Sequence, residues 1–296
     1  MPAEDDEESR MSLLKALRGS DRFLINVEMC PPRTDLPLEQ SVEAWIDSNR
    51  LMRKMASLER FVFLTDGAIG RREEPNLRHV TINLGPGADR SRIIPILTTK
   101  HSLEYCLEFA KRSYLLGFSS LVVLGGDKSD GPPRCVEHAY ELRRLIRGSV
   151  PGITLGGWAS PHGGRRQVEF ILDPEYSADF YMGQIVSHYH LPAIDEFLNE
   201  GARLGVKIPG IFGVFYYRSA TSKTFDLLSP FFPVPRAELK RDFAAQIPPE
   251  DICAHSILAL RKRGVKSIYV SNLPMATATA KLARIESRVE ELLVIS

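Results

Sequence analysis

Three stretches of this chain repeat one pattern: LLGFSSLVVLG at 115–125, RLGVKIPGIF at 203–212 and KRGVKSIYVS at 262–271. Each reads as the end of a helix, a glycine stop, a short turn and a strand. The same alternation runs through the whole chain. Strand candidates are Phe23–Glu28, Phe61–Thr65, Ile93–Thr98, Leu121–Gly125, Ile153–Trp158, Phe180–Val186, Ile208–Phe215 and Ser267–Ser271. Nearly all lack period-two alternation, so they read as strands buried on both faces, as in a parallel sheet. Helical patterns fill the gaps: Leu38–Ser57, Ser102–Leu116 behind a Ser102 cap, Val136–Ile146, Pro192–Leu204, Asp251–Arg263 and Met275–Leu293.

Most strand starts lie roughly 30 residues apart, the length of one βα unit. Eight such units in 296 residues give the arithmetic of an α/β fold, a (β/α)8 TIM barrel. A doubly wound open sheet is the chief competitor, but no GxGxxG follows the first strand. The proline-punctuated stretch Leu227–Pro249 reads as a long connection with a short extra helix, not a second domain. The expected organisation is an acidic, disordered tail over residues 1–12 and one barrel domain over 13–296.

Charge narrows the function classes. Lys and Arg total 38 against 37 Asp and Glu, a net charge of +1. That balance gives no footprint for nucleic acid or anionic lipid. The four cysteines are scattered, with no CxxC pair, and read as thiols in a reducing compartment. The start, MPAEDDEESR, has neither the basic nor the apolar run of a signal peptide. No apolar run reaches the ~18 residues of a membrane span. A cytoplasmic location is expected, and a homo-oligomer is left open.

A barrel of this kind places its active site at the C-terminal ends of the strands. Those ends carry Glu28, Thr65, Thr98, Gly126-Asp127, Trp158 with His162, Gln184 and Tyr217. Carboxylates, an amide and aromatics on one rim suit a flat ligand with polar edges. Glu28 closes an otherwise apolar strand; burial would raise its pKa and suit a general acid, the alternative being a clamp to Arg33. Asp127 follows two glycines that permit close backbone approach to a ligand, or else it belongs to an ordinary turn. Gly85 with Gly87, and Gly163-Gly164 ahead of Arg165 and Arg166, are candidate anion nests. His188 and His190 form an HxH pair, but no third ligand has strong spacing, so no metal is expected.

Taken in order, these segments resemble the methylenetetrahydrofolate reductase family. NVEMCPPRT is similar to its Phe-Glu-Phe-Phe-Pro-Pro-Lys/Arg-Thr, and LTDGAIG to its Thr-x-Gly-Ala-Gly-Gly. Leu97-Thr98-Thr99 resembles its Leu-Thr-Cys, GFSSLVVLGGD its strand ending in Gly-Asp, and SADFYMGQ its Gly-Ala-Asp-Phe-x-x-Thr-Gln. WASPH, IPGIFGV and GVKSIYVSNLPMA look like its later strand ends. The resemblance implies a reductase that carries hydride from NAD(P)H, usually through FAD, to 5,10-methylenetetrahydrofolate. It places Glu28 as general acid and Asp127, with Gln184, on the pterin edge. Tyr217 falls near a ring-stacking aromatic. Thr65, Thr98, Gly126, Trp158 and His162 would face the flavin.

The departures fall on the flavin half. Gly125, Asp173 and Ile96 stand where the family has an arginine, a lysine and a histidine. Phosphate sites rely on Arg and Lys, so only Arg165 and Arg166 are left as replacement charge. FAD is therefore an open expectation. A flavin-independent folate oxidoreductase and a non-catalytic folate-binding subunit remain beside the reductase.

Overall fold

Along the first strand, Leu24, Asn26 and Glu28 face one way and Ile25, Val27 and Met29 the other, as the pleat requires. The two sets enter two separate cores. Ile25, Val27 and Met29 pack with the surrounding helices. Leu24 packs inside a barrel with Phe63, Ile94, Val122, Phe180 and Tyr269. Burying each such side chain contributes about 1.5–3 kcal/mol, which is why strands with apolar residues on both faces settle only in this position.

The computed structural model describes residues 13–19, 22–32, 35–65, 76–85, 88–127 and 131–295. The expected tail at 1–12, Arg33 and Gly87 lie outside them. The strands are β1 (Leu24–Met29), β2 (Val62–Leu64), β3 (Ile93–Thr98) and β4 (Ser120–Leu124), then β5 (Thr154–Ala159), β6 (Phe180–Val186), β7 (Gly210–Phe215) and β8 (Ser267–Ser271). They close in sequence order into one parallel barrel. Closure runs through β1 and β8, with Leu24 opposite Ser267 and Val27 opposite Val270. The (β/α)8 TIM barrel read from the sequence is the fold.

The helices are α1 (Leu13–Gly19), α2 (Leu38–Ser57), α3 (Asn76–Leu84), α4 (Leu103–Leu115), α5 (Ala139–Ser149) and α6 (Gly164–Leu172). After them come α7 (Leu191–Leu204), α8 (Ser222–Leu228), α9 (Arg236–Ala244), α10 (Pro249–Arg261) and α11 (Ala278–Ile295). The Ser102 hydroxyl accepts from Tyr105 N–H at 3.2 Å and caps α4, as its position suggested. The glycine of each repeated pattern takes the left-handed conformation that stops a helix: Gly117 at φ 91°, Gly205 at 75° and Gly264 at 79°. The long connection after β7 carries α9 as its extra helix, and α8 before it. Among the described residues no helix is long and apolar enough to cross a membrane.

The floor of the barrel is tied by one polar side chain. Asn26, fully buried, donates from Nδ2 to Ser267 Oγ at 3.0 Å and to the Ile268 carbonyl at 2.9 Å. Its Oδ1 accepts from Phe61 N–H at 3.1 Å. One amide thus joins β1 to β8 and to the approach of β2, with both of its protons used.

Candidate functional site

At the opposite end, the strand termini surround a cavity of about 380 Å³. This lies within the roughly 300–1,000 Å³ of ligand pockets. Glu28 of β1, Tyr269 and Ser271 of β8 and Trp158 of β5 line it, with Phe215 of β7 on the far wall. Phe231 and Phe232 reach in from the connection between α8 and α9. The lining is mainly apolar and aromatic, with few polar groups, which is the composition of a site for a flat ring.

Glu28 is the only carboxylate among the described residues lining the cavity. Burial raises its pKa, and a hydrogen bond from the Ser271 side chain offsets part of that rise. The group is therefore biased toward carrying a proton. Tyr269, fully buried beside it, donates to the Gly183 carbonyl at 2.8 Å. Burial first, and the Glu28 charge second, push that phenol well above its ordinary value. Tyr269 stays neutral and acts as a floor under the cavity.

Gln184 of β6 lines the same space, and its amide is already engaged at both ends. Its Oε1 accepts from the Ser160 hydroxyl, and its Nε2 donates to the Phe231 carbonyl at 2.5 Å. The side chain thereby ties the end of β6 to the connection carrying the two phenylalanines. A ligand that uses Gln184 must share or replace these bonds.

The glycines after β4 have different roles. Gly126 needs its left-handed backbone, φ 69°. Gly125 needs the absence of a side chain: a Cβ there would lie 2.8 Å from Arg134 Cζ and Nη2 and 3.0 Å from Nη1. The close approach expected of a ligand is thus made by a guanidinium of the same chain. Arg134 also donates from Nη2 to the Gly126 carbonyl. Sequence reading found a missing arginine at Gly125 and did not find Arg134, which a loop brings to that spot. Its only signal was an arginine after two prolines, Pro132-Pro133-Arg134.

The sequence set Glu28 and Asp127 across a shared mouth. The structure gives the cavity Glu28, Gly125 and Gly126, while half-buried Asp127 sits one residue beyond the lining. Trp158 and Gln184 join Glu28, as expected of strand ends. Thr65 and Thr98 do not; Thr65 N–H donates to the Met29 carbonyl at 3.0 Å, and Thr98 is buried in the wall. His162 stands behind Ile185, donating from Nε2 to its carbonyl at 2.9 Å. Desolvation lowers its pKa, so it is neutral there. Tyr217 is buried against Phe215, ring centroids 5.0 Å apart, with no hydrogen-bond partner for its hydroxyl among the described residues. Burial raises that phenol.

The charged candidates go elsewhere. Arg165, on the outside of α6, pairs with Glu169 at 2.7 Å and Glu200 at 3.5 Å. Arg166 is exposed on the same helix. Gly163-Gly164 opens that helix, and a Cβ on Gly164 would lie 2.8 Å from Glu196 Oε1, so a carboxylate stands beside this candidate nest. Asp173 accepts from Glu175 N–H at 2.8 Å, and Ile96 is in the barrel core. Arg165 and Arg166, the replacement cations read from the sequence, therefore do not reach the cavity, and Arg134 is the cation that rests against its glycine wall. His188 and His190 also diverge. His188 Nδ1 lies 2.8 Å from Ser256 Oγ, whereas the His190 ring meets the edge of His162 at 6.0 Å. Among the described residues no cluster of three His, Cys, Asp or Glu could hold a metal.

No family profile and no curated protein matches this sequence. Solved structures do match in fold. One is an uncharacterized protein from Clostridium thermocellum, described as binding two copies of 5-methyl-5,6,7,8-tetrahydrofolic acid. It is 15% identical with a TM-score of 0.68, over 96% of this chain and 100% of its own. Another is the carboxyl transferase domain of Rhizobium etli pyruvate carboxylase with 3-bromopyruvate, 12% identical with a TM-score of 0.52. That match covers 86% of this chain and 40% of the other. At these identities the likeness is one of fold.

Proposed function

We propose that this barrel binds a reduced folate at its mouth and reduces the one-carbon unit of 5,10-methylenetetrahydrofolate with NAD(P)H. The observation that carries the reading is Glu28: a carboxyl biased toward its protonated form, at the floor of a cavity walled by Trp158, Phe215 and Phe232. A pteridine is flat, apolar on its faces and polar on its edge. The aromatic walls would take the faces, and the Gln184 amide would take the edge. The folate-binding neighbour from Clostridium thermocellum supports the ligand class.

Glu28 would give its proton to N10 of the substrate. The bond from N10 to the methylene carbon then breaks, leaving an iminium at N5. Hydride from the nicotinamide ring adds to that carbon and gives the 5-methyl product; solvent returns the proton to Glu28. General acid assistance of this kind is worth about 10²–10⁴ in rate. We read the hydride as passing directly between the two bound rings, because Arg165 and Arg166, the replacement cations read from the sequence, lie away from the cavity.

The test is to mix the protein with 5,10-methylenetetrahydrofolate and NAD(P)H and follow loss of nicotinamide absorbance. Turnover with 5-methyltetrahydrofolate as product is expected. Flavin bands in the purified protein would remove the direct route. Binding of 5-methyltetrahydrofolate without turnover would remove the chemistry and leave a folate-binding barrel.

A further inference from the structure

Three buried guanidinium groups elsewhere in this protein are paired. Arg143 places Nε and Nη2 on the Tyr176 carbonyl and Nη1 on the Val123 carbonyl. Arg92 pairs with Asp89 at 3.3 Å and donates to the Glu59 carbonyl at 2.9 Å. Arg60 faces Glu286. Half-buried Arg134 donates from Nη2 to the Gly126 carbonyl, and among the described residues it has no carboxylate partner. Its Nε, like that of Arg90, is buried without an acceptor; unlike Arg90, it rests against glycines that line the cavity of Glu28. A desolvated N–H with no acceptor is costly, and a charged one more so.

The position is also prepared on both sides. Cys135 N–H donates to the Thr99 carbonyl at 2.8 Å, and Lys100 Nζ donates to the Pro132 carbonyl at 2.9 Å. These bonds fix the backbone that flanks Arg134. Arg134 lines a groove that also takes in Lys100 and Glu137, and its guanidinium rests on Gly125 and Gly126, which line the cavity of Glu28. Glu137 lies 3.7 Å from His138 Nε2.

We infer that Arg134 is an anion anchor, binding the carboxylate or phosphate oxygens of a ligand whose ring occupies the central cavity. A planar guanidinium held against glycine, with Nε buried and Nη2 on the Gly126 carbonyl, has a fixed orientation and leaves its Nη1 edge for an oxyanion. The inference rests on the proposed folate reading for one source of the oxyanion, the glutamate carboxylates. The dinucleotide pyrophosphate is the other source.

Calorimetric titration of the full chain and of Arg134→Gln separates these cases. The probes are 5-methyltetrahydrofolate, 6-methyltetrahydropterin, which lacks the carboxylates, and inorganic pyrophosphate. Expected is a loss of roughly tenfold or more in Arg134→Gln, the size of one charge-assisted hydrogen bond, for the folate or for pyrophosphate. Methyltetrahydropterin affinity stays unchanged, and whichever anion weakens identifies the source. Equal affinity of both proteins for both anions overturns the inference, as does a parent chain that binds neither. Loss of pyrophosphate alone, with no pterin or folate bound by either protein, upholds the anchor and removes the folate reading. Equal pterin and folate binding, with no pyrophosphate bound, does the reverse. If Arg134→Gln does not fold, Gly125→Ala displaces the same guanidinium and must weaken the same anion; unchanged affinity there also overturns the anchor.

Discussion

Asn26 and Glu28 lie two residues apart on the inward face of β1, and they are held in opposite ways. Asn26 uses both amide protons and its oxygen on Ser267, Ile268 and Phe61. Glu28 has one partner in Ser271 and otherwise faces a cavity. At the floor, a polar group closes the barrel. At the mouth, a polar group is buried just enough to change its acidity and is left open to a ligand. The difference shows how one strand divides labour: pairing at its start supplies stability, and incomplete pairing at its end supplies chemistry.

The largest expected effect breaks the chemical side of this comparison. Glu28→Gln keeps the shape and removes the proton, so turnover should fall about 10²–10⁴-fold with 5-methyltetrahydrofolate affinity preserved. Steady-state kinetics beside calorimetry checks it; unchanged turnover would mean the carboxyl is not the acid. The same variant sharpens the electrostatic side. Burial raises the Glu28 carboxyl in the folded chain. Above the unfolded pKa the folded state therefore holds more proton than the unfolded one. The stability from this group is complete below the unfolded pKa and is lost as pH rises through the folded value. Glu28→Gln should flatten that part of a stability-against-pH curve measured by urea unfolding.

The structural side comes next in size. Asn26→Ala strands the Phe61 N–H and removes two side-chain bonds that reinforce the pairing of β1 with β8, at a cost of about 3 kcal/mol. Urea unfolding should record that loss while ligand affinity holds; a loss of affinity without a loss of stability would dissolve the division between floor and mouth. Gly213→Ala tests the layer between. A Cβ there would lie 2.5 Å from the Tyr269 hydroxyl and 2.8 Å from Ile185 Cδ1. Crowding of this kind costs about 1–3 kcal/mol. Because Tyr269 and Ile185 both line the cavity, folate affinity should fall with stability.

The floor was more legible in the sequence than the mouth. Strands such as Ile93–Thr98, apolar on both faces, have one stable setting, and the glycines at 117, 205 and 264 mark where helices stop. Local pattern carries both signals. α3 and α8 span only 9 and 7 residues, too short for local pattern to mark them, so tertiary packing defines them. At the mouth, Glu28, Trp158 and Gln184 followed from the rule for strand ends. Arg134 did not, because its contact with Gly125 depends on a loop path that spacing does not encode. Nor did the bond from Gln184 to Phe231, which joins residues 47 apart in the chain. Asp127 lies one residue beyond the lining, so a strand end fixes the neighbourhood of a side chain and not its contact with the cavity.

The smallest effect comes from Ser271, which sits at the end of β8 as Glu28 sits near the end of β1. Its hydrogen bond favours the charged carboxylate and so works against burial. Ser271→Ala removes that support without touching the aromatic walls. Glu28 should then hold its proton to higher pH, and the alkaline limb of the rate profile should move upward while the rate on the plateau stays near that of the parent chain. A limb that moves downward would mean that the hydroxyl supports the protonated acid instead. A limb that stays in place would mean that the mouth adjusts the acidity of Glu28 through burial alone, which would make the contrast with the fully bonded Asn26 sharper still.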